Sequence, residues 1–143
     1  MIYTNSDGGA RGNPGPGAIA ALVRKDGEIL TKSSKFIGES VTNNIAEYEG
    51  LIHALELALK VTDGDITCCL DSELVVKQLL GEYKVRNQNI LPLFLKVQKL
   101  QEKFKSIKYQ HVPRENNFQT VVDELLNDEL DNQGYRKKYG RRK

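Results

Sequence analysis

The sequence predicts an α/β fold: a five-stranded mixed sheet, made of a three-stranded antiparallel meander plus two parallel strands, flanked by helices. Three observations lead there. Within the first 37 residues, three strand-like blocks follow one another through a glycine-rich loop and an Asp26-Gly27 turn, and strands joined so tightly pair antiparallel. Beyond residue 44, segments with a helical apolar stripe alternate with short strand-like runs, and strands reached through helices can add in parallel. The length of 143 residues suits one core, which helices on both faces of a sheet would close.

The elements follow in order. MIYTNSD alternates Ile2, Thr4 and Ser6 with Tyr3, Asn5 and Asp7, which reads as a strand ending at Asp7. GGARGNPGPG is then a loop. Residues 17–25 and 28–37 are the next two strands, with Asp26-Gly27 between them. Ile45, Tyr48, Ile52, Leu55 and Leu59 form the stripe of a helix over about 44–60. Asn44 with Glu47 suits a capping-box start for it. DGDITCCLD gives a short buried strand ending at Asp71, and SELVVKQLL a helix over 72–80 stopped by Gly81. A longer helix spans about 88–104, a strand 106–112, and a last helix about 118–131.

Composition narrows the class. No apolar run approaches membrane-spanning length, and the first residues read as a strand rather than a basic-then-apolar leader. The expectation is a cytoplasmic monomer with no membrane partner. Cys68 and Cys69 are adjacent inside an apolar run, which suits small core residues better than a disulfide. The net charge of +2 is uneven: the last eight residues, RKKYGRRK, carry six positive charges, and residues 1–135 sum to −4. The chain therefore divides into a domain, 1–135, and a basic tail, 136–143. A basic tail on an acidic body points to a polyanionic partner, or is simply a solvated terminus.

Four acids stand at element ends. Asp7 and Asp71 terminate strands, Glu47 falls in the first turn of the helix after the meander, and Asp123 lies early in the last helix. If the first and fourth strands run parallel side by side, Asp7 and Asp71 emerge at the same edge, where open α/β sheets place ligands. Carboxylates brought so close repel and raise one another's pKa, an arrangement suited to hard cations such as Mg²⁺ or Mn²⁺. Each acid also has an ordinary alternative: a turn residue at Asp7, a capping-box partner at Glu47, a helix cap at Asp71, a complement to the helix dipole at Asp123.

Taken together, four motifs resemble type 1 ribonuclease H over essentially the whole chain. DGGARGNPGPG is similar to its Asp-Gly opening and GNPGPG-type loop. TNNIAEYEGLIHAL matches its TNN helix start, and LDSELVVKQLLGEYKVRN its DS segment. HVPRENN followed by VDELLND resembles its closing segment. The resemblance implies a ribonuclease H-like fold and an endonuclease that cuts the RNA strand of RNA–DNA hybrids, leaving 5′-phosphate and 3′-hydroxyl ends. Asp7, Glu47, Asp71 and Asp123 would hold two Mg²⁺ ions, with Mn²⁺ able to substitute and Asp71 bridging. Asn13 would contact the RNA strand, Asn43 and Asn44 minor-groove edges and sugars, and Thr42 a DNA phosphate. Such a fold reads hybrid shape and 2′-hydroxyl groups. A broader nuclease that also cuts double-stranded RNA, and a binding module without chemistry, are the alternatives.

The sequence departs from the family at four places. Only GEYKVRN joins the two middle helices, where many members carry a basic protrusion; Lys84 and Arg86 would supply weaker substrate contact. Two more residues than usual separate His111 from Asp123, so either the turn bulges or the helix begins later. Some members use a histidine near the last acid for product release; His111 is the candidate, with Arg114 its rival. Glu73 stands where many members have glutamine.

Overall fold

The computed structural model describes residues 1–135. In chain order it contains β1 (Ile2–Ala10), β2 (Gly15–Lys25), β3 (Glu28–Val41), α1 (Asn43–Leu59), β4 (Asp65–Leu70), α2 (Glu73–Leu79), α3 (Leu91–Gln101), β5 (Ser106–His111) and α4 (Asn117–Asn132). The basic tail lies outside the described residues.

The five strands form one sheet in the order β3-β2-β1-β4-β5. β1 pairs antiparallel with β2, β2 antiparallel with β3, and β4 parallel with both β1 and β5. This is the expected meander plus two parallel strands. The turn is where Asp26-Gly27 predicts it: Lys25 faces Glu28, and Asp26 takes a φ of 52°, a left-handed conformation that Asp adopts more readily than most residues.

The sheet is covered on both faces. In β2, Gly17 through Val23 are buried without a break, because the strand is packed by α1 on one face and α4 on the other. One core joins α1, α2 and α3 to the sheet through Tyr48, Leu51, Leu55, Ile66, Val75 and Val97; the other joins α4 through Leu22, Val122, Leu126 and Leu130. Strand alternation then sorts β1. Its even positions face α1, where a Cβ on Gly8 would meet the Ala46 carbonyl, and its odd positions face α4, where a Cβ on Gly9 would meet Leu126. Cys68 and Cys69 are free and buried as expected, and burial pushes the Cys68 thiol up to about 12, leaving it protonated.

Several boundaries differ from the sequence reading. β1 does not stop at Asp7 but runs on to Ala10, because Gly8, Gly9 and Ala10 keep pairing with Ile19, Ala18 and Gly17. β3 continues to Val41 rather than ending near residue 37. α3 begins at Leu91, not 88, since the Asn87 side chain turns back to accept the amide hydrogens of Asn89 and Ile90. The same helix ends at Gln101, although Phe104 beyond it is buried.

Candidate active site

Each acid singled out in the sequence turns out to be free of its ordinary duty. α1 is capped by Thr42, whose Oγ1 accepts from the Ile45 amide at 3.2 Å. Neither Asn44 nor Glu47 caps, and Glu47 falls in the second turn, beyond reach of a capping box. α2 is capped by Ser72 rather than Asp71. α4 is capped by Asn116, which accepts from Phe118 and Gln119, and Asp123 lies past its first turn. The helix therefore begins at Asn117, not later than expected, and residues 118–122, the stretch expected to hold two additional residues, are all helical. Asp7 lies inside a strand, in the middle of the sheet.

Asp7, Glu47 and Asp71 each turn one carboxylate oxygen into a common spot, all within 4.8 Å of one another. The route by which Glu47 arrives is a close approach of α1 to β1: a Cβ on Gly50 would lie 2.6 Å from the Asp7 carbonyl oxygen. Asp123 stands outside that triad but lines the same cavity of about 470 Å³, together with Asn43, Arg114 and Asn127. Its carboxylate accepts from Asn127 Nδ2 at 3.3 Å.

The electrostatics follow from burial and crowding. Burial first, then the charges of Asp71 and Asp123, push Asp7 up to about 8, against one stabilising bond from the Gly8 amide at 2.9 Å. Burial and the neighbouring Asp7 and Asp71 raise Glu47 well above the usual carboxylate range, and its Oε1 is buried with no hydrogen-bond partner. Burial also raises Asp71, while Arg114 and, less strongly, His111 pull it back. A buried carboxylate oxygen without a partner is costly. The three carboxylates sharing one point form a hard-oxygen donor set that fits a divalent cation.

The structure gathers the expected substrate residues unevenly. Asn13 Oδ1 accepts from the Asn43 amide and Asn43 Oδ1 from the Ala10 amide, both at 3.0 Å, so these two tie the glycine-rich loop to α1. Asn13, Thr42 and Asn44 line a second cavity of about 300 Å³ with Asn87 and Asn89; these last two escape the sequence reading, their one signal being paired amides in a short connection. Lys84 and Arg86 line neither cavity. Glu73 pairs with Lys77 at 3.3 Å. His111 ends β5, exposed; Arg114 lines the acidic cavity and His111 does not. Arg11, also missed, reaches from the loop to Asn127, Asp131 and the Tyr135 carbonyl.

Comparison with known proteins gives this arrangement its relatives. A family model described as reverse transcriptase-like matches residues 5–128. A bifunctional protein of Mycobacterium tuberculosis is 40% identical over 132 residues, 91% of this chain and 35% of that protein. Ribonuclease HI of Halobacterium salinarum is 38% identical over 131 residues, 91% of this chain and 64% of that enzyme. The chain thus spans about a third of the mycobacterial relative and under two thirds of the halobacterial one. Among solved structures, the N-terminal RNase H domain of the mycobacterial protein superposes with a TM-score of 0.86 at 39% identity, covering 93% of this chain and 95% of that one. LC11-RNase H1, solved in complex with an RNA/DNA hybrid, gives 0.86 at 37% identity, covering 93% and 99%. With 37–39% identity and TM-scores of 0.86 to RNase H structures of which it covers 95% and 99%, the chain belongs to the type 1 ribonuclease H family.

Proposed function

We propose that this protein is a divalent-metal-dependent endonuclease that hydrolyses the RNA strand of RNA–DNA hybrids. The observation that carries the reading is the triad of Asp7, Glu47 and Asp71 within 4.8 Å, with a partnerless Glu47 oxygen buried inside it. Asp7, Glu47, Asp71 and Asp123 would hold two Mg²⁺ ions, Mn²⁺ substituting. When bound, the ions supply activation of the attacking water and stabilisation of the leaving 3′ oxygen.

The chain's own residues do the rest. Burial and mutual repulsion raise Asp7, Glu47 and Asp71, and a cation seated among them would relieve that repulsion in place of protons. Arg114, on the wall beside Asp71, offers a positive charge to a phosphate entering the cavity. Asn43 lines the acidic cavity, and Asn13 and Asn44 line the second one; an amide at either place can both donate to and accept from a 2′-hydroxyl. The second cavity, which Thr42 also lines, suits a phosphate of the DNA strand. All four acids come from one chain, so a monomer suffices. That LC11-RNase H1 was solved with a hybrid supports the substrate class.

The test is a labelled RNA–DNA hybrid incubated with Mg²⁺ or with EDTA, beside RNA–RNA and DNA–DNA duplexes, with Asp71→Asn as control. Mg²⁺-dependent cutting of the RNA strand, lost in Asp71→Asn, is the expected result. Cutting of RNA–RNA as well would widen the substrate to A-form duplexes. Hybrid binding without cutting in either Mg²⁺ or Mn²⁺ would overturn the proposal in favour of a binding module.

A further inference from the structure

Asp123 reaches the site although two additional residues precede it, and the reason lies deeper in the fold. Asn5 and Gln119 are both fully buried. Asn5 Nδ2 donates to Gln119 Oε1 at 3.1 Å, and Gln119 Nε2 donates to the Ser6 carbonyl at 2.7 Å. Asn5 Oδ1 in turn accepts from Arg24 Nε at 2.9 Å. The Arg24 guanidinium lies 4.3 Å from the centroid of the Tyr3 ring and 4.1 Å from that of Phe118. Phe118 and Gln119 belong to the very stretch that is longer than usual.

The spacing makes this pair a rung of a ladder. Asn5 and Asp7 are two apart on one face of β1, a rise of about 6.7 Å. Gln119 and Asp123 are four apart on one face of α4, a rise of about 6 Å. The steps nearly match, so seating Gln119 on Asn5 puts Asp123 opposite Asp7. Further along, Gly9 faces Leu126 and Arg11 holds Asn127 and Asp131, which closes the ladder on the other side. A slip of one residue would turn α4 by about 100° and carry Asp123 away from the other acids.

We infer that Asn5 and Gln119 are positioning residues that set the register of α4 and thereby place Asp123 against Asp7. The inference rests on the metal-site reading above. A purely structural anchor would hold the helix without affecting the metal; a positioning pair acts through Asp123 and so loses its effect when that carboxylate is gone.

The experiment measures Mn²⁺ binding by calorimetry, on the full chain and below the melting temperature of every variant. Gln119→Met keeps length and volume but removes both hydrogen bonds; it is made alone and in an Asp123→Asn background. The expected result is Mn²⁺ binding weakened about tenfold or more by Gln119→Met in the parent, in line with the effect of removing supports of metal ligands, and no further weakening in Asp123→Asn. Should Gln119→Met not fold, Asn5→Ser supplies the same comparison. A lowered melting temperature with Mn²⁺ affinity unchanged would overturn the inference alone, as would equal weakening in both backgrounds. A parent chain that binds no Mn²⁺ would overturn the metal-site reading and the inference with it.

Discussion

Ser72 Oγ accepts the amide hydrogen of Val75 at 3.3 Å, so Ser72 and not its neighbour Asp71 caps α2. The two residues therefore separate stability from chemistry by one position. Ser72→Ala should cost about 1 kcal/mol of stability, the usual worth of such a cap, and leave hybrid cleavage intact. Asp71→Asn should abolish cleavage and, by removing one of several crowded negative charges, hold or raise the melting temperature of the metal-free protein. Thermal denaturation of both variants, beside the cleavage assay, checks the pair; a large loss of stability in Asp71→Asn would mean that the carboxylate has a structural task.

The approach of α1 to β1 yields a second prediction. A Cβ on Gly50 would sit 2.6 Å from the Asp7 carbonyl oxygen, and one on Gly8 would sit 2.0 Å from that of Ala46. Backbone cannot yield there as a side chain would, so α1 must move outward. Gly50→Ala should cost about 1–3 kcal/mol, the range for overpacking a tight contact. It should also weaken Mn²⁺ binding, because Glu47 rides on the same turn. Calorimetry on the folded variant separates the two effects; an unchanged affinity would show that Glu47 reaches the ion from either helix position.

These relations explain what is legible in the sequence and what is hidden. The meander can be read because Asp26-Gly27 and the alternating blocks are local signals. The acids can be read because each stands in a motif, and Asp7, Glu47 and Asp71 do converge. What is not local escapes. The seating of Gln119 on Asn5 spans 114 positions and the Arg11–Asp131 contact 120, and no spacing rule links residues so far apart. The caps are hidden for a subtler reason. Thr42, Asn43 and Asn44 are all good cap residues, as are Asp71 and Ser72, and only the path of the backbone into the helix decides among such neighbours.

Acidity provides a third prediction. Asp7 is pushed up to about 8 and Glu47 and Asp71 are raised, above the ~4 expected of an unfolded carboxylate. The folded state then holds more protons than the unfolded one between those limits, so stability falls as pH rises through that window. In EDTA the melting temperature should decline from about pH 5 to about pH 8.5, and Asp7→Asn should flatten the decline. Mg²⁺ should restore the loss most at the alkaline end. A melting temperature that instead climbs with pH in EDTA would contradict the crowding of the acids.

Arg114 and His111 both ease the charge on Asp71, Arg114 more strongly. If that ranking governs the reaction, Arg114→Gln should move the acid limb of the pH–activity profile to higher pH, because Asp71 would hold its proton longer. His111→Ala should move it less. A slower turnover in His111→Ala with an unmoved profile and a retained single-turnover rate would instead assign His111 to product release.

The last prediction concerns the basic tail, residues 136–143, whose six positive charges outweigh the −4 of residues 1–135. Without the tail, the domain approaches a polyanion with a repulsive net charge, and Lys84 and Arg86 line neither cavity. Positive charge to draw in a polyanion then has to come from elsewhere, and the tail holds the densest positive charge in the chain. Every phosphate that the tail no longer neutralises should flatten the slope of log affinity against log salt by about 0.7 to 0.9. Deletion of residues 136–143 should therefore weaken hybrid binding most at low salt and leave the two proteins nearly alike at high salt. The rate of a single turnover at saturating hybrid should be unchanged, since all four acids remain. Equal affinities and equal slopes with and without the tail would assign the attraction to Arg114 and the cavity walls.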